Sequence, residues 1–303
     1  MEDRPASASS GPPSAAGARH AGLSTAILLA PACLLFSVFV IYPIFSSIRL
    51  SLYDWDGIGA MTFVGLANYR DLVDDPVFTK ALTNNLRWLA CYTAAPLAGL
   101  ALAVMLQQAV FGMRLARTLF FMPFVVSQVI VGLIFASFFN TRFGLLNQIL
   151  AGFGLPGVAP LDSETWSLYP MILAGLWPQI AYCFILYLTG LATLSPETID
   201  AARVDGARGI PLFRHVVLPQ LRSVHYIVAM VCAVAALRSF DYVIIMTLGG
   251  PYDSSTVLAY YMYEQTFLGQ RYGYGAAIAV ALLAMMSAII VALLWQMFRR
   301  EQS

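Results

Sequence analysis

The sequence predicts an all-α integral membrane protein with six transmembrane helices. Its 303 residues are 59% hydrophobic and 11% charged, with a mean hydropathy of +0.74, whereas soluble domains carry about 25% charged residues. The charges are also clustered, so no Asp, Glu, Lys or Arg occurs between Arg117 and Arg142, between Glu164 and Glu197, or between Arg271 and Arg299. Each of these stretches exceeds the roughly 20 residues that a helix needs to cross a bilayer core.

The chain divides into a short tail and one membrane domain. Residues 1–22 are rich in Pro, Ser, Ala and Gly, so we expect a disordered cytoplasmic tail. The uncharged stretch from Ala21 to Ser47 is too long for the apolar core of a secretory signal and lacks a compact cleavage site. Residues 23–303 are therefore expected to form a transmembrane domain. Hydropathy places its helices near residues 24–48, 86–110, 116–138, 167–191, 223–247 and 273–297.

The distribution of Lys and Arg predicts that both termini are cytoplasmic. Ten of these residues fall in the tail, in the segments near 111–117 and 195–222, and at the C-terminus, against six on the other side. Positive charge is retained on the cytoplasmic side of membrane proteins. The loops expected outside are residues 49–85, 139–166 and 248–271.

Tryptophan and proline positions give two further expectations. Four tryptophans fall near predicted helix ends, as in the aromatic belts of membrane proteins; they are Trp55, Trp88, Trp166 and Trp295. Prolines inside the helices predict kinks for packing, or a substrate cavity, for which Pro178 in the fourth helix is the first candidate.

The segment 195–222 interrupts the membrane pattern with the sequence SPETIDAARVDGARGIPLFRHVVLPQLR. Ser195 is a suitable N-cap and Pro196 a suitable first helical residue, and we expect this short helix to end near Gly209. It presents a face of small residues, which are Ala201, Ala202, Gly206 and Ala207. Such a face favours close docking against a protein over adsorption to lipid headgroups, which requires bulky apolar residues and several lysines.

Three parts of this segment resemble the EAA loop of binding-protein-dependent ABC importer permeases. They are Asp200-Ala201-Ala202, Asp205-Gly206-Ala207 and Leu218-Pro219, with Asp200 where the family has glutamate. Four more motifs are similar to the carbohydrate branch of that family, which includes maltose-type and glycerol-phosphate-type permeases. They are Phe63-Val64-Gly65-Leu66-Ala67-Asn68-Tyr69, Gly144-Leu145-Leu146-Asn147, Gly249-Gly250-Pro251 and Tyr272-Gly273-Tyr274-Gly275.

The resemblance implies the type I ABC importer permease fold with a cytoplasmic EAA coupling helix, in a multi-pass subunit of the plasma or inner membrane. The implied partners are membrane lipid, a second related permease, two cytoplasmic ATPases, an extracytoplasmic solute-binding protein and a carbohydrate, which is a sugar, an oligosaccharide or a polyol phosphate. ATP and Mg would bind the ATPases, so this chain would be a transport subunit without a cofactor or catalytic residue. The residues implied to contact an ATPase are Asp200, Ala201, Ala202, Asp205, Gly206 and Ala207.

Two charges fall within the fifth predicted helix. Arg238 and Asp241 are three residues apart and share one face, and each costs about 2.5–3.5 kcal/mol at the membrane centre on insertion scales. They form either an ion pair that locks the helix or a hydrogen-bonding site for a polyhydroxylated substrate. By resemblance to the maltose-type permease, the substrate would also contact residues of the fourth helix, which are Trp177, Gln179 and Tyr182.

Several functions are excluded or disfavoured. The single lysine, Lys80, does not lie in a P-loop, and no clustered basic face predicts nucleic-acid binding. The cysteines have neither zinc-site nor redox spacing and predict core residues; they are Cys33, Cys91, Cys183 and Cys232. No catalytic or metal-binding pattern occurs.

An ion-coupled secondary transporter is the alternative function, but such a protein would need two related halves and intramembrane acids. A scaffolding protein would leave the two membrane charges without a role.

Overall fold

The computed structural model describes residues 28–107 and 112–301, so the tail predicted at residues 1–22 lies outside the described residues. The chain separates into two compact units, residues 1–49 and residues 50–303. The helix Leu28–Leu50 lies in the first unit, except for Leu50, which belongs to the second. This helix contains a π-helical turn, Ser37–Ile41, and its most hydrophobic window has no buried residue.

Six segments are long and apolar enough to cross a membrane if two helices separated by a sharp bend are counted together. We number them spans 1 to 6: Leu28–Leu50, Pro76–Leu106, Met113–Val125 with Gln128–Phe138, Leu168–Ala192, Arg222–Met246 and Tyr272–Arg299. The prediction of an all-α membrane protein with six transmembrane helices is confirmed. Span 6 belongs to the helix Tyr272–Glu301.

The connections carry short elements that hydropathy does not predict. A two-stranded antiparallel hairpin, Tyr53–Asp54 with Thr62–Phe63, follows span 1. The other short helices are Ala67–Asp74, Leu145–Gly152, Pro196–Val204, Gly209–Leu212, Leu218–Gln220 and Leu258–Tyr263, with π-helical turns at Phe213–Val217 and Glu264–Leu268. These elements lie in the connections between the spans.

Span 2 begins ten residues before its predicted start. Asp75 caps it, because its carboxylate accepts hydrogen bonds from the amides of Val77 and Phe78, and Pro76 occupies the first helical position. The early turns carry Asn84 and other polar residues, which lower the local hydropathy although the backbone is helical. The helix Pro76–Tyr92 meets Ala94–Leu106 at Thr93.

Spans 3 and 5, like span 2 at Thr93, are interrupted, whereas the sequence predicts continuous helices there. The two helices of span 3 meet at 92°, because Val126 and Ser127 adopt extended backbone conformations. In span 5, the helix Arg222–Leu237 ends at Arg238 and a second helix, Phe240–Met246, follows. By contrast, span 4 continues through Pro178 as one helix. The breaks are therefore not at the proline expected to mark a cavity.

Spans 2 and 4 approach each other closely through small residues. A Cβ built on Gly99 would lie 2.6 Å from the Cβ of Cys183, and one on Gly175 would lie 2.3 Å from the hydroxyl oxygen of Tyr92. Small residues permit such contacts between membrane helices. The core around them combines aromatic and aliphatic residues, including the fully buried Trp88.

The tryptophan prediction is wrong at Trp88. Because span 2 begins at Pro76, Trp88 lies well inside it, and its ring stacks on Tyr242 of span 5 at 5.9 Å between centroids. Trp166 and Trp295 are each about 60% exposed near helix ends, as expected.

Candidate functional site: a charged cavity and an exposed helix

A cavity of about 510 Å³ lies at the break in span 5. The break places Arg238 after the last turn of one helix and Asp241 in the first turn of the next. Both side chains line the cavity together with Gln128 and five apolar residues, which are Met230, Val231, Val234, Ala235 and Ile290. The cavity therefore offers a cation, an anion and an amide within apolar walls.

Arg238 and Asp241 do not pair with each other. The side chains of Asp200 and Arg203, by contrast, form a salt bridge at 3.0 Å. The ion-pair alternative for the two membrane charges is therefore not the arrangement observed. Both charged groups stay available to a molecule in the cavity.

Gln128 belongs to this site although the sequence did not single it out. It is the first residue of the helix Gln128–Phe138, directly after the 92° bend of span 3. The bend brings the start of this helix to the cavity wall. One available signal was the dipeptide Ser127-Gln128 within an otherwise apolar stretch, since serine is a common residue before a helix.

The three predicted contacts on span 4 lie elsewhere. Trp177 lines an apolar cavity of about 580 Å³ beside Phe135. Tyr182 stacks on Phe124, with the ring centroids 4.6 Å apart and the planes at 7°. The structure therefore brings Arg238 and Asp241 together but does not join Trp177 or Tyr182 to them, and a substrate role for these two rings stays a prediction.

Gln179 is held by sulfur atoms rather than facing the charged cavity. It is 8% exposed, and its amide donates to the Sγ of Cys232 at 3.3 Å. The Sγ atoms of Cys183 and Cys232 are 3.4 Å apart, with both residues buried between spans 4 and 5. The sequence predicted core cysteines but did not indicate that these two meet. A substrate role for Gln179 also stays a prediction.

The loop after span 5 is clamped to span 2. The buried side-chain amide of Asn84 donates to the backbone carbonyls of Ser254 and Thr256 at 2.8 and 2.9 Å. The side-chain oxygen Oδ1 of Asn85 accepts from the backbone amide of Leu258 at 2.8 Å, and Lys80 donates to the backbone carbonyl of Tyr252. The loop that contains the Gly249-Gly250-Pro251 motif is therefore held by side chains of span 2.

Asp75 joins three elements at the same end of the bundle. Its carboxylate accepts hydrogen bonds from the hydroxyls of Tyr261 and Tyr274, in addition to the two amides that it caps. Burial raises the pKa of this carboxyl, but the four hydrogen bonds lower it and the net pKa lies below its usual value. Burial and the bond to Asp75 raise the pKa of Tyr261. The cluster holds span 2, the helix Leu258–Tyr263 and span 6 together.

The 195–222 segment contains the short exposed helix that the sequence predicts. The side chain of Ser195 accepts from the amide of Thr198, and Pro196 is the first helical residue. The helix packs against the next helix and its π-helical turn, residues 209–217. Ala201 is exposed, whereas Ala202 and Ala207 are partly buried, so the small residues do not form one bare face.

Larger apolar residues contribute to the exposed surface of this segment. Val204 and Ile210 are 88% and 80% exposed, and neither belongs to the face of small residues expected from the sequence. Asp200 and Arg203 form an ion pair at 3.0 Å within the helix. Asp205 is exposed at the end of the helix. A docking role for the predicted residues of this helix stays a prediction.

Gly206 ends the helix at Val204, five residues before the predicted end. It has φ +91°, its amide donates to the carbonyl of Arg203, and the amide of Ala207 donates to the carbonyl of Ala202. This pair of bonds is a Schellman motif, in which glycine adopts the left-handed conformation after the last turn. No atom lies within 4 Å of a Cβ built on Gly206. Its observed role is therefore the turn itself.

These features define a membrane-spanning transport subunit: apolar helices surround a charged cavity, and a short exposed helix lies between spans 4 and 5. No group of three or more His, Cys, Asp or Glu residues that could hold a metal ion occurs in the described part of the chain. Residues 95–300 match the family described as "Binding-protein-dependent transport system inner membrane component". The chain belongs to this family.

Curated relatives and a solved structure agree with that assignment. The chain is 32% identical to the sulfoquinovosyl glycerol transport system permease protein SmoG of Agrobacterium fabrum, over 87% of this chain and 86% of the relative. It is 32% identical to the alpha-glucoside transport system permease protein AglF of Rhizobium meliloti, over 88% and 80%. A chain of a bacterial ABC transporter that imports alginate matches with a TM-score of 0.80 and 21% identity, over 93% of this chain and 96% of that chain. The fold is that of a type I ABC importer permease.

Proposed function

We propose that this chain is the transmembrane permease subunit of an ATP-driven importer and translocates a carbohydrate delivered by an extracytoplasmic binding protein. The observation that carries the proposal is the cavity at the break in span 5, where Arg238 and Asp241 face the same space without pairing. Charged groups within a membrane are costly and mark transport routes. Here they lie where a polar cargo would cross the apolar bundle.

Two arguments support a carbohydrate as the cargo. Hydroxyl groups both donate and accept hydrogen bonds, so a sugar satisfies the carboxylate of Asp241, the guanidinium of Arg238 and the amide of Gln128 together. The apolar walls of the cavity suit the C–H faces of a sugar ring. In addition, the names of SmoG and AglF assign them to sulfoquinovosyl glycerol and alpha-glucoside transport.

The proposed partners follow from membership of the family. ATP and Mg²⁺ would bind two ATPase subunits on the cytoplasmic side, and this chain would take part in no ATP chemistry. The helix Pro196–Val204 would dock on one ATPase, with Val204 and Ile210 supplying exposed apolar contacts. A second, related permease would complete the membrane pore within the lipid of the plasma or inner membrane. Both termini would be cytoplasmic.

The first experiment tests the assembly and its cargo. The importer is expressed with its paired permease and ATPases, purified through a tag on this chain, and reconstituted in proteoliposomes that enclose ATP. Labelled sugars are then supplied with the binding protein. We expect ATPase subunits to copurify and a sugar to accumulate only with ATP and the binding protein. Uptake driven by an ion gradient without ATP would contradict the proposal and favour a secondary transporter.

The second experiment tests the cavity. Asp241→Asn keeps the size of the side chain but removes its charge, so we expect sugar uptake to fall about tenfold or more. ATPase subunits should remain bound, because the helix Pro196–Val204 is unchanged. Leu248→Ala, at a 67% exposed apolar residue beyond the span, is the control, and its uptake should match the unmodified protein. Normal uptake by Asp241→Asn would place the route elsewhere.

A further inference from the structure

A continuous row of aromatic rings connects the hairpin after span 1 with the break in span 5. Successive ring centroids along the row are 5.3, 6.4, 5.4 and 5.5 Å apart. We call these five residues the aromatic row; in spatial order they are Trp55, Tyr272, Phe267, Tyr263 and Phe240. The row ends at Phe240, which follows the break and directly precedes Asp241 of the charged cavity.

The rings of the aromatic row are packed against each other but are not buried. Phe267 is 59% exposed, and the other four residues are partly exposed. Neighbouring connections on the same side of a membrane are separated by two spans. The connections after spans 1 and 5, which carry Trp55, Tyr263 and Phe267, therefore lie on the side opposite the helix Pro196–Val204, which follows span 4. In the proposed orientation, this is the side on which a cargo leaves a binding protein.

Two carboxylates lie near the inner end of this row. Glu264 directly follows Tyr263 of the row. Burial raises the pKa of Tyr260, and the charges of Glu264 and Asp253 raise it further; the ring centroid of Tyr260 is 6.4 Å from that of Tyr263 and 6.3 Å from that of Phe240. Both acidic residues are partly buried. Burial raises the pKa of Glu264, and the charge of Asp253 raises it further.

Neither acidic side chain accepts a hydrogen bond from any other residue in the described part of the chain. Because both side chains are also partly exposed, their oxygens can accept hydrogen bonds from water or from a bound molecule that supplies hydroxyl donors. An aromatic belt that only anchors the protein in lipid would not need these two carboxylates.

We propose that the aromatic row, together with Asp253 and Glu264, is a binding track for pyranose rings between the binding-protein side and the charged cavity. The apolar C–H faces of a sugar would stack on the successive rings while its hydroxyls donate to the two carboxylates. This inference rests on the proposed carbohydrate transport. It adds a second binding region outside the cavity and favours substrates with an apolar ring face over linear polyols.

Phe267 provides the sharpest test, because it is exposed and its replacement leaves the core intact. Phe267→Leu keeps an apolar side chain but removes the ring, whereas Phe267→Trp keeps a ring. Leu268→Ala is the matched control, since Leu268 is 65% exposed and adjacent but does not belong to the row. Each variant is assembled with its partners in proteoliposomes that enclose ATP, together with the binding protein.

The probes are labelled glucose, maltose and trehalose, with glycerol as a linear polyol. We measure sugar accumulated per ATP hydrolysed. For the sugar that the unmodified importer transports best, we expect this ratio to fall about fivefold in Phe267→Leu and to stay within twofold in Phe267→Trp and Leu268→Ala. ATPase retention should be the same for all four proteins.

The outcomes separate the track from the proposed function. If the unmodified importer accumulates none of the three sugars, the proposed cargo and the track both fail. If it accumulates a sugar and Phe267→Leu performs equally well, the track alone is wrong. A loss in Phe267→Trp or Leu268→Ala as large as in Phe267→Leu would also overturn the track, because the effect would then not depend on the ring.

Discussion

Gly273 lies directly against the backbone carbonyl of Tyr53. A Cβ on Gly273 would come 1.9 Å from that oxygen, a distance that no real side chain can occupy. Next to this contact, the amide of Tyr272 donates to the carbonyl of Trp55 at 3.0 Å, and the side chain of Asn68 donates to the carbonyl of Tyr53. The start of span 6 is therefore joined by backbone contact to the hairpin after span 1.

Gly273→Ala should destabilise the protein because the new methyl group must push this carbonyl away. Overpacking of this kind costs about 1–3 kcal/mol, so we expect a lower thermal unfolding temperature in detergent. Gly152→Ala is the matched control, since no atom lies within 4 Å of the position that its new Cβ would take, and its unfolding temperature should be nearly unchanged. Equal temperatures for Gly273→Ala and the unmodified protein would contradict the close contact.

Asp75 should make the stability of the protein sensitive to acid. Its pKa in the folded protein is below the usual value of 3.8. Burial raises this pKa, but the hydrogen bonds from the hydroxyls of Tyr261 and Tyr274 and from the capped amides together lower it by more. A carboxyl with a lowered pKa stabilises the fold fully above its unfolded pKa. We therefore expect this stabilisation above about pH 4 and its progressive loss as the pH falls through the lowered pKa.

Asp75→Asn tests this dependence. The amide accepts fewer hydrogen bonds and carries no charge, so thermal stability at pH 7 should decrease and its change between pH 5 and pH 3 should become smaller. Asp74→Asn, at the exposed neighbour, serves as the control and should keep the acid dependence of the unmodified protein. An unchanged pH profile in Asp75→Asn would show that other carboxyls dominate.

Gly206 should respond to substitution according to backbone conformation rather than side-chain size. Its φ of +91° is unfavourable for most residues by roughly 1–2 kcal/mol, and asparagine tolerates the left-handed region best. We expect Gly206→Asn to retain most transport and ATPase binding, and Gly206→Val to lose a large part of both. The measurements are ATPase retention on the purified complex and uptake in vesicles. Equal losses in both variants would instead support a bare contact surface at Gly206.

The proposed orientation predicts which positions a membrane-impermeant thiol reagent reaches. Ala60 and Ala201 are both exposed alanines, in the connections after spans 1 and 4. In a variant without its native cysteines, Ala60→Cys should be labelled in intact cells, whereas Ala201→Cys should be labelled only after the membrane is opened. Labelling of Ala201→Cys alone in intact cells would reverse the orientation.

The sequence by itself determined the class of protein and the approximate positions of its spans. Long uncharged stretches predict membrane helices because burying unpaired charge in hydrocarbon is costly. The N-terminal cap of the helix Pro196–Val204 was also predictable, because Ser195 and Pro196 act on their immediate neighbours. These properties depend on composition and local spacing.

Only the tertiary structure decided which residues meet. Hydropathy averages over a window, so it could not detect that Val126 and Ser127 turn span 3 by 92° and bring Gln128 to Arg238 and Asp241. Contacts between spans depend on helix rotation and on the gaps that small residues leave. For this reason the sequence could not show that the amide of Gln179 donates to the Sγ of Cys232, where two helices distant in sequence pack together.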